Sequence, residues 1–361
     1  MKQPNNAVES SNKKHNGIIG FWKFMFCILI LLFHCAEKMG KNGFFESGRI
    51  GVEFFFIVSG YLMTKKALNN EEGLENIGEE TTSYIWRKFK AFFPYVIFPF
   101  IISFFVKGIY KADQIANSIW NLLLIDMSGV RSTTVIGQTW YISVMLISML
   151  ILYPLIRRYK KTFTNIIAPL IVIFIGGWLS HKYMGMYNPT LWTGLMYKGL
   201  LRGFFELSFG AMLYELTQKV TKKDFTLLGK ILLTVIEISG FVSIFLISNI
   251  KGANGKYEFL MLLILGISIA IAFSEKTVTY KELMELGFPE KTARNIIRDA
   301  KLIAVEKFKK DRINDSNSVQ LIRSPFDNKR LGIAPRGIVE KLLGGISLSE
   351  NIKESEKTDG I

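Results

Sequence analysis

Two ionisable side chains, Lys23 and His34, interrupt the first apolar stretch of the sequence, Ile18 to Ala36. The stretch has the length that a helix needs to cross a hydrocarbon layer of ~30 Å. At about 100° per residue, the spacing of Lys23 and His34 is three turns plus about 20°, which puts both on one helix face about 16 Å apart. Ionisable groups in an apolar span usually face a protein interior or a wet cavity and mark function. An imidazole there could take a proton from a hydroxyl group as a general base.

The second apolar run, Gly51 to Thr64, carries Glu53 near the same predicted membrane edge as His34. Glu53 could orient the imidazole and stabilise its charged form. The alternative is a histidine hydrogen-bonded at a helix end, with Glu53 in an unrelated salt bridge. Lys23, near the other edge, could hold phosphate groups, or it could be a lysine that reaches to the membrane boundary.

Composition and hydropathy predict how these residues are positioned. With 49% hydrophobic residues and 29 Phe, the chain is not an ordinary soluble domain. The net charge of +15 would suit nucleic acid or anionic lipid equally. Neither a zinc-type Cys/His cluster nor a phosphate-binding glycine loop is present in the sequence. Eight membrane spans are predicted, at about 18–36, 50–64, 91–107, 139–156, 164–180, 199–216, 227–249 and 257–273, with an interfacial segment at 115–125.

The basic residues cluster after the second, fourth and sixth predicted spans, and all of these clusters fall on one side. The positive-inside rule therefore predicts a multi-pass protein of the cell membrane with both termini in the cytoplasm. Residues 1–17 would form a disordered cytoplasmic tail. His34 and Glu53 would lie toward the outer face.

Several motifs along these spans resemble the acyltransferase 3 family of integral membrane enzymes over about residues 18–273. They are the basic residue and histidine of the first span, Gly51 to Phe56 with Ser59 to Tyr61, Arg87 to Tyr95, Trp140 to Ser143 with Tyr153-Pro154, and Arg202, Glu206 and Gly210 at helical spacing. The resemblance implies an all-α polytopic transmembrane bundle. It also implies transfer of an acyl group, acetyl from acetyl-CoA, to a hydroxyl group of a cell-surface carbohydrate. Acyl-CoA would be the donor substrate, with no tightly bound cofactor and no metal.

The resemblance also implies roles for individual residues. The catalytic residues would be His34 and Glu53, the donor-binding residues Lys23, Arg87 and Lys88, and the substrate-binding residues Trp140, Tyr141, Arg202 and Glu206. Lys23 stands where the family more often has arginine, which alone can make a planar two-pronged contact. The positive-inside rule alone would explain Arg87 and Lys88, and an intrahelical ion pair would explain Arg202 with Glu206.

Hydrophobicity stops at Phe273, and residues 275–346 predict a small helical cytoplasmic domain. Thr279 with Glu282 would open a short helix that Gly287 ends. A longer helix over 292–308 would carry Arg294, Arg298 and Lys301 on one face, which is typical of a DNA-binding helix-turn-helix. A polar loop over 311–324, a basic turn or wing over 328–332, a last helix over 335–343 and a disordered tail over 347–361 would follow.

This C-terminal part resembles a small uncharacterised, excisionase-like domain of mobile genetic elements. Its matching stretches begin at Thr279 and at Asn328. The chain could therefore act as a membrane-tethered DNA-binding protein instead of an enzyme. It could also be an inactive fusion, because the acyltransferase 3 family usually has about ten spans. The candidate partners are membrane lipid, a glycan acceptor and, through the C-terminal domain, DNA.

Overall fold

A computed structural model of the chain describes residues 16–40, 45–70, 73–183, 185–221, 227–250, 257–274, 277–279, 283–284, 287–313 and 333–344. The chain divides into two compact units, Met1–Ser274 and Glu275–Ile361. The first unit is helical. Its helices are α1 (Gly17–Lys38), α2 (Ile50–Leu68), α3 (Ile77–Val106), α4 (Ala112–Leu122), α5 (Trp140–Thr162), α6 (Ala168–Tyr183), α7 (Lys198–Thr221), α8 (Leu227–Ser248) and α9 (Glu258–Ser274).

Each of the eight predicted spans coincides with a helix, and α4 contains residues 115–122 of the predicted interfacial segment 115–125. By length and composition alone, four helical runs in the described part of the chain could cross a membrane: Gly17–Lys38, Leu74–Val106, Gly137–Tyr183 and Ile231–Ser248. The third is 47 residues long and contains α5 and α6. Lys160, with φ 43° and ψ −118°, interrupts its helical backbone. The shorter α9 is also apolar.

Helices α2 and α7 pack directly against each other because two glycines remove the side chains that would keep them apart. A Cβ atom on Gly60 would lie 2.2 Å from the carbonyl oxygen of Leu207. One on Gly210 would lie 2.1 Å from the carbonyl oxygen of Ile57. Both distances are far below van der Waals contact, so the two backbones touch at these points. This contact brings the charged side chains of α2 and α7 together.

Two hydrogen bonds identify which helix ends lie together. The side chain of Asn16, which caps the start of α1, donates to the carbonyl oxygen of Ala272 near the end of α9 at 3.0 Å. At the other end, the backbone N–H of Ser47 donates to the carbonyl oxygen of Ser248 at the end of α8 at 3.1 Å. We refer to these as the Asn16 end and the Ser47 end of the bundle. Because Asn16 and Gly17 are part of the helix start, a disordered tail reaching residue 17 is wrong at its last two residues.

The second unit contains α10 (Glu290–Ile313), α11 (Arg336–Leu342) and a two-stranded antiparallel pair, β1 (Thr277–Thr279) with β2 (Ile333–Pro335). Its small core comprises Leu283, Ala293, Ile297, Ala300, Ala334 and Val339. The strand pair was not predicted, and Thr279 lies in β1 instead of opening a helix. Gly287 has a φ of 87°, which suits the predicted glycine stop.

The long helix α10 extends at both ends beyond the predicted 292–308, so Asp311 to Ile313 are helical and not part of a loop. The predicted wing at 328–332 and the predicted tails at 1–15 and 347–361 lie outside the described residues.

Candidate functional site

Lys23 and His34 lie along one edge of α1, beside the face that packs on the bundle. Both side chains are half-buried, whereas Phe26 and Leu29 on the packed face are fully buried. The imidazole Nδ1 of His34 lies 3.4 Å from Glu37 Oε2, and 40% of the His34 side chain is exposed. Lys23 is near the Asn16 end, and His34 is displaced toward the Ser47 end. The predicted common face is therefore present.

The predicted pairing of His34 with Glu53 is wrong. Among the residues that the structure describes, no hydrogen bond joins the two side chains, because the Glu53 side chain turns away from α1. Helix α1 meets α2 at other positions, since a Cβ on Gly51 would lie 2.7 Å from Ile30 Cγ1. Glu53, two residues further along α2, points toward α7 and is fully buried. Its Oε1 accepts a hydrogen bond of 2.5 Å from Arg202 Nη2. Glu37, one helical turn after His34, is therefore the carboxylate beside the imidazole.

Arg202 is the centre of a buried charge cluster between α2 and α7. Besides Glu53, its guanidinium donates to Glu206 Oε1 at 3.2 Å and to the carbonyl oxygen of Met186 at 3.0 Å. The ring of Trp140 lies 5.0 Å from its central carbon. The intrahelical pair of Arg202 with Glu206 is thus present. Because both side chains are buried and bonded to protein groups, they fit a role in positioning better than direct contact with a substrate.

Three further charged residues, Arg49, Lys198 and Glu258, join this cluster from outside the predicted motifs. Glu258, at the start of α9, accepts from the backbone N–H of Met186 at 2.6 Å and from Arg49 Nη2 at 3.2 Å. Lys198, at the start of α7, donates to the carbonyl oxygen of Tyr187 at 2.6 Å. Arg49, Met186 and Glu258 thus tie the segment before α7 to the Ser47 end. Each of these three charged residues lies at the edge of a predicted span in the sequence, but none belongs to the motifs that were used to predict the site.

Trp140 and Tyr141 begin α5 beside this cluster. The Tyr141 ring meets Phe56 of α2 edge-on, with ring centroids 4.7 Å apart. Its hydroxyl lies near Met145 Sδ at 3.7 Å. The predicted substrate-binding residues Trp140 and Tyr141 therefore share one region with Arg202.

The predicted donor-binding residue Arg87 lines a basic pocket at the Asn16 end of the bundle. The pocket has a volume of about 560 Å³. Its walls are the last turns of α2 and the first turns of α3, with lining residues Leu62, Lys65, Lys66, Asn69, Asn70, Glu80, Ser83 and Arg87. Lys65 and Lys66 were not predicted as site residues. Lys88, which was, is not among the lining residues, and its ammonium lies 5.8 Å from the Tyr84 ring centroid.

In the second unit, the predicted DNA-binding residues lie beside the buried face of α10. Arg294 and Arg298 have side chains 55% and 67% exposed, and Lys301 is half-buried. Arg294 Nη2 lies 2.7 Å from Glu290 Oε1, and Arg298 Nε lies 3.2 Å from Asp299 Oδ1. Neighbouring carboxylates therefore partly neutralise this basic surface.

In the described ranges no group of three or more His, Cys, Asp or Glu side chains could hold a metal ion.

Comparison with known families gives two matches. The family described as an acyltransferase domain, Acyl_transf_3, matches residues 16–288. A domain of unknown function, DUF3173, matches residues 276–348. No curated protein and no solved structure matches the chain. The chain therefore belongs to the acyltransferase 3 family, as a membrane acyltransferase whose acyltransferase domain is fused to a small C-terminal domain.

Proposed function

We propose that the protein transfers an acyl group from acyl-CoA to a hydroxyl group of a cell-surface carbohydrate, and that this acyl group is acetyl. The observation that carries this proposal is the placement of Lys23 and His34 along one edge of α1. An ammonium group lies near the Asn16 end, and an imidazole lies further toward the Ser47 end. The donor would thus be held toward the Asn16 end and the acceptor hydroxyl near His34.

His34 is the general base in this proposal. It takes the proton of the acceptor hydroxyl as the hydroxyl oxygen attacks the thioester carbonyl carbon. The carbon–sulfur bond then breaks, and the protonated imidazole returns the proton to the leaving thiolate of coenzyme A. Glu37, 3.4 Å from the imidazole, stabilises the charged imidazolium. Glu53 acts indirectly, because the hydrogen bond that it accepts from Arg202 holds the guanidinium beside the Trp140 ring.

The basic pocket holds the phosphate groups of the donor in this proposal. Arg87 can make bidentate contacts with phosphate oxygens, and Lys65 and Lys66 add positive charge. Lys23 lies at the same end of the bundle. We place this end in the cytoplasm, where acyl-CoA is made, with both termini on that side.

The acceptor side is assigned to the start of α5. The rings of Trp140 and Tyr141 offer the flat apolar surface that sugar rings pack against. Arg202, held by Glu53 and Glu206, fixes the Trp140 ring through its contact at 5.0 Å.

The direct test is glycan acylation in cells that carry the wild type or His34→Ala. Removal of a general base lowers the rate about 10²–10⁴-fold, so acylation should fall to background while the protein still accumulates in the membrane. His181→Ala is the matched control, because His181 is exposed at the end of α6. Equal acylation by wild type and His34→Ala would refute the catalytic assignment. Background acylation by the wild type itself would favour an inactive fusion.

A second candidate function, DNA binding by the C-terminal unit, is favoured by one observation. The exposed Arg294 and Arg298 follow the buried face of α10 at helical spacing, which is the arrangement of a helix that reads a groove. Its test is a binding measurement on this unit, described in the Discussion.

A further inference from the structure

A buried arginine of α5, Arg157, lies behind the basic pocket, and only 1% of its side chain is exposed. Its Nε donates to Glu80 Oε2 at 2.8 Å. Its Nη1 donates to the carbonyl oxygen of Asn70 at 2.6 Å and contacts that of Ala67 at 3.4 Å. The one guanidinium therefore bonds to both walls of the pocket. It reaches the last turn of α2 through the carbonyl oxygen of Ala67, the segment just after α2 through that of Asn70, and α3 through the carboxylate.

Glu80 completes the connection from the α3 side. It accepts a hydrogen bond of 2.6 Å from the side chain of Asn70 and another from the hydroxyl of Tyr153. Tyr153 in turn stacks on Tyr84 of α3, with ring centroids 4.5 Å apart. Asn70 and Glu80 both line the pocket. The wall that presents Lys65 and Lys66 and the wall that presents Arg87 are thus fastened to each other and to α5.

The chemistry of the guanidinium explains why arginine suits this position. The last carbonyl groups of a helix lack partners within the helix, and a positive charge there is favourable. A planar fork can satisfy these carbonyls and a carboxylate together, whereas an ammonium group acts as a compact point charge. A lysine would therefore keep the charge but could not hold both walls in the same geometry.

We infer that Arg157, together with Glu80, is a positioning pair that sets the separation of the cationic side chains in the donor pocket. This inference rests on the proposed function, because it takes the phosphate groups of acyl-CoA as the ligand of that pocket. Arg157 touches no ligand itself. It acts through the position of Arg87 relative to Lys65 and Lys66.

The test is the affinity of the full-length protein in detergent for coenzyme A, measured by calorimetry. Arg157→Lys should weaken binding about tenfold, because the phosphate contacts depend on geometry. Arg158→Lys is the matched control, since Arg158 is the next residue and is exposed. Its affinity should equal that of the wild type. The unfolding temperature without ligand is recorded for every variant.

A double-mutant cycle separates positioning from general loss of structure. If Arg157 acts through Arg87, then Arg157→Lys should weaken binding much less in an Arg87→Ala protein than in the wild type. Additive losses would overturn the inference, and so would an unchanged affinity of Arg157→Lys. Should Arg157→Lys lower the unfolding temperature without ligand, Tyr153→Phe replaces it in the same cycle. It removes the hydrogen bond from the Tyr153 hydroxyl to Glu80 and leaves the charge of the pocket unchanged.

The outcomes also distinguish this inference from the proposed function. If coenzyme A fails to bind the wild type, or binds Arg87→Ala equally well, the donor site itself is misplaced and the inference fails with it. If Arg87→Ala weakens binding while Arg157→Lys and Tyr153→Phe do not, the donor site stands and only the positioning pair is refuted.

Discussion

Arg202 of α7 donates a hydrogen bond of 2.5 Å to Glu53 of α2, although the two residues are 149 positions apart in the chain. Both side chains are buried, and Glu206 is the second carboxylate on the same guanidinium. One oxygen of each carboxylate, Oε2, is buried without a hydrogen-bond partner in the structure. The guanidinium is thus a shared counter-ion for two carboxylates.

Removal of Arg202 should therefore destabilise the bundle severely. Arg202→Gln leaves two buried carboxylates without their counter-ion, and breaking a buried pair in this way costs about 3–5 kcal/mol. We expect a large fall in the unfolding temperature in detergent and in the amount of protein in the membrane. The double variant Glu53→Gln/Arg202→Gln should recover part of the loss, because a neutral pair replaces an unpaired charge. Arg158→Gln is the control, and an Arg202→Gln protein as stable as it would contradict this role.

Close contact between α2 and α7 predicts the effect of adding a single methyl group. Gly60→Ala and Gly210→Ala should each separate the two helices and destabilise the protein by about 1–3 kcal/mol, the usual range for overpacking. Gly177→Ala in α6 is the matched control, since nothing lies within 4 Å of its added Cβ. Alanine favours a helix over glycine, so the control should be neutral or slightly stabilising. Equal unfolding temperatures for all three variants would mean that the helices do not touch at Gly60 and Gly210.

The sequence predicted those features that depend on local periodicity. The shared face of Lys23 and His34 follows from helical spacing alone, and every predicted span proved helical. The partner of Glu53 could not be predicted in this way, because depth in the membrane does not specify which neighbouring helix a side chain faces. Glu80 was missed because α3 begins at Ile77, well before the apolar residues of the predicted third span. Its first turns are polar and so carry no hydropathy signal.

The loop between α4 and α5 should respond to pH through Asp126. Burial raises the pKa of the Asp126 carboxyl, and hydrogen bonds to Asn121 and Ser143 offset only part of that shift. A carboxyl with a raised pKa stabilises the fold fully below its ordinary pKa, and this stabilisation is lost as pH rises through the folded value. As pH rises above the ordinary aspartate pKa of about 4, the unfolding temperature should therefore fall by more in the wild type than in Asp126→Asn.

The control for this loop is Asp113→Asn, because Asp113 is exposed in the first turn of α4. Its pH dependence should match that of the wild type. Identical pH profiles for Asp126→Asn and the wild type would show that burial does not raise the pKa of Asp126 in the folded protein.

Membrane orientation is testable with reporter fusions at residues 75 and 280. If the Asn16 end is cytoplasmic, both reporters should give a cytoplasmic signal, because residue 75 follows α2 and residue 280 follows α9. An external signal at 280 would contradict the predicted orientation and would also remove the DNA-binding function, since the C-terminal unit could not meet the chromosome.

The C-terminal unit, residues 275–346, should fold alone as a small and marginally stable domain, because its core contains few residues. If it binds duplex DNA through α10, affinity should fall steeply as salt rises, and alanine at Arg294, Arg298 and Lys301 together should lower both the affinity and the salt slope.

The carboxylates paired with these arginines give a sharper test of DNA binding. Glu290→Gln and Asp299→Asn release the two arginines from their neighbours at 2.7 and 3.2 Å, so DNA affinity should increase. Lys341→Ala on α11 is the control for a lost positive charge elsewhere. A folded domain without DNA affinity at low salt would refute the DNA-binding function.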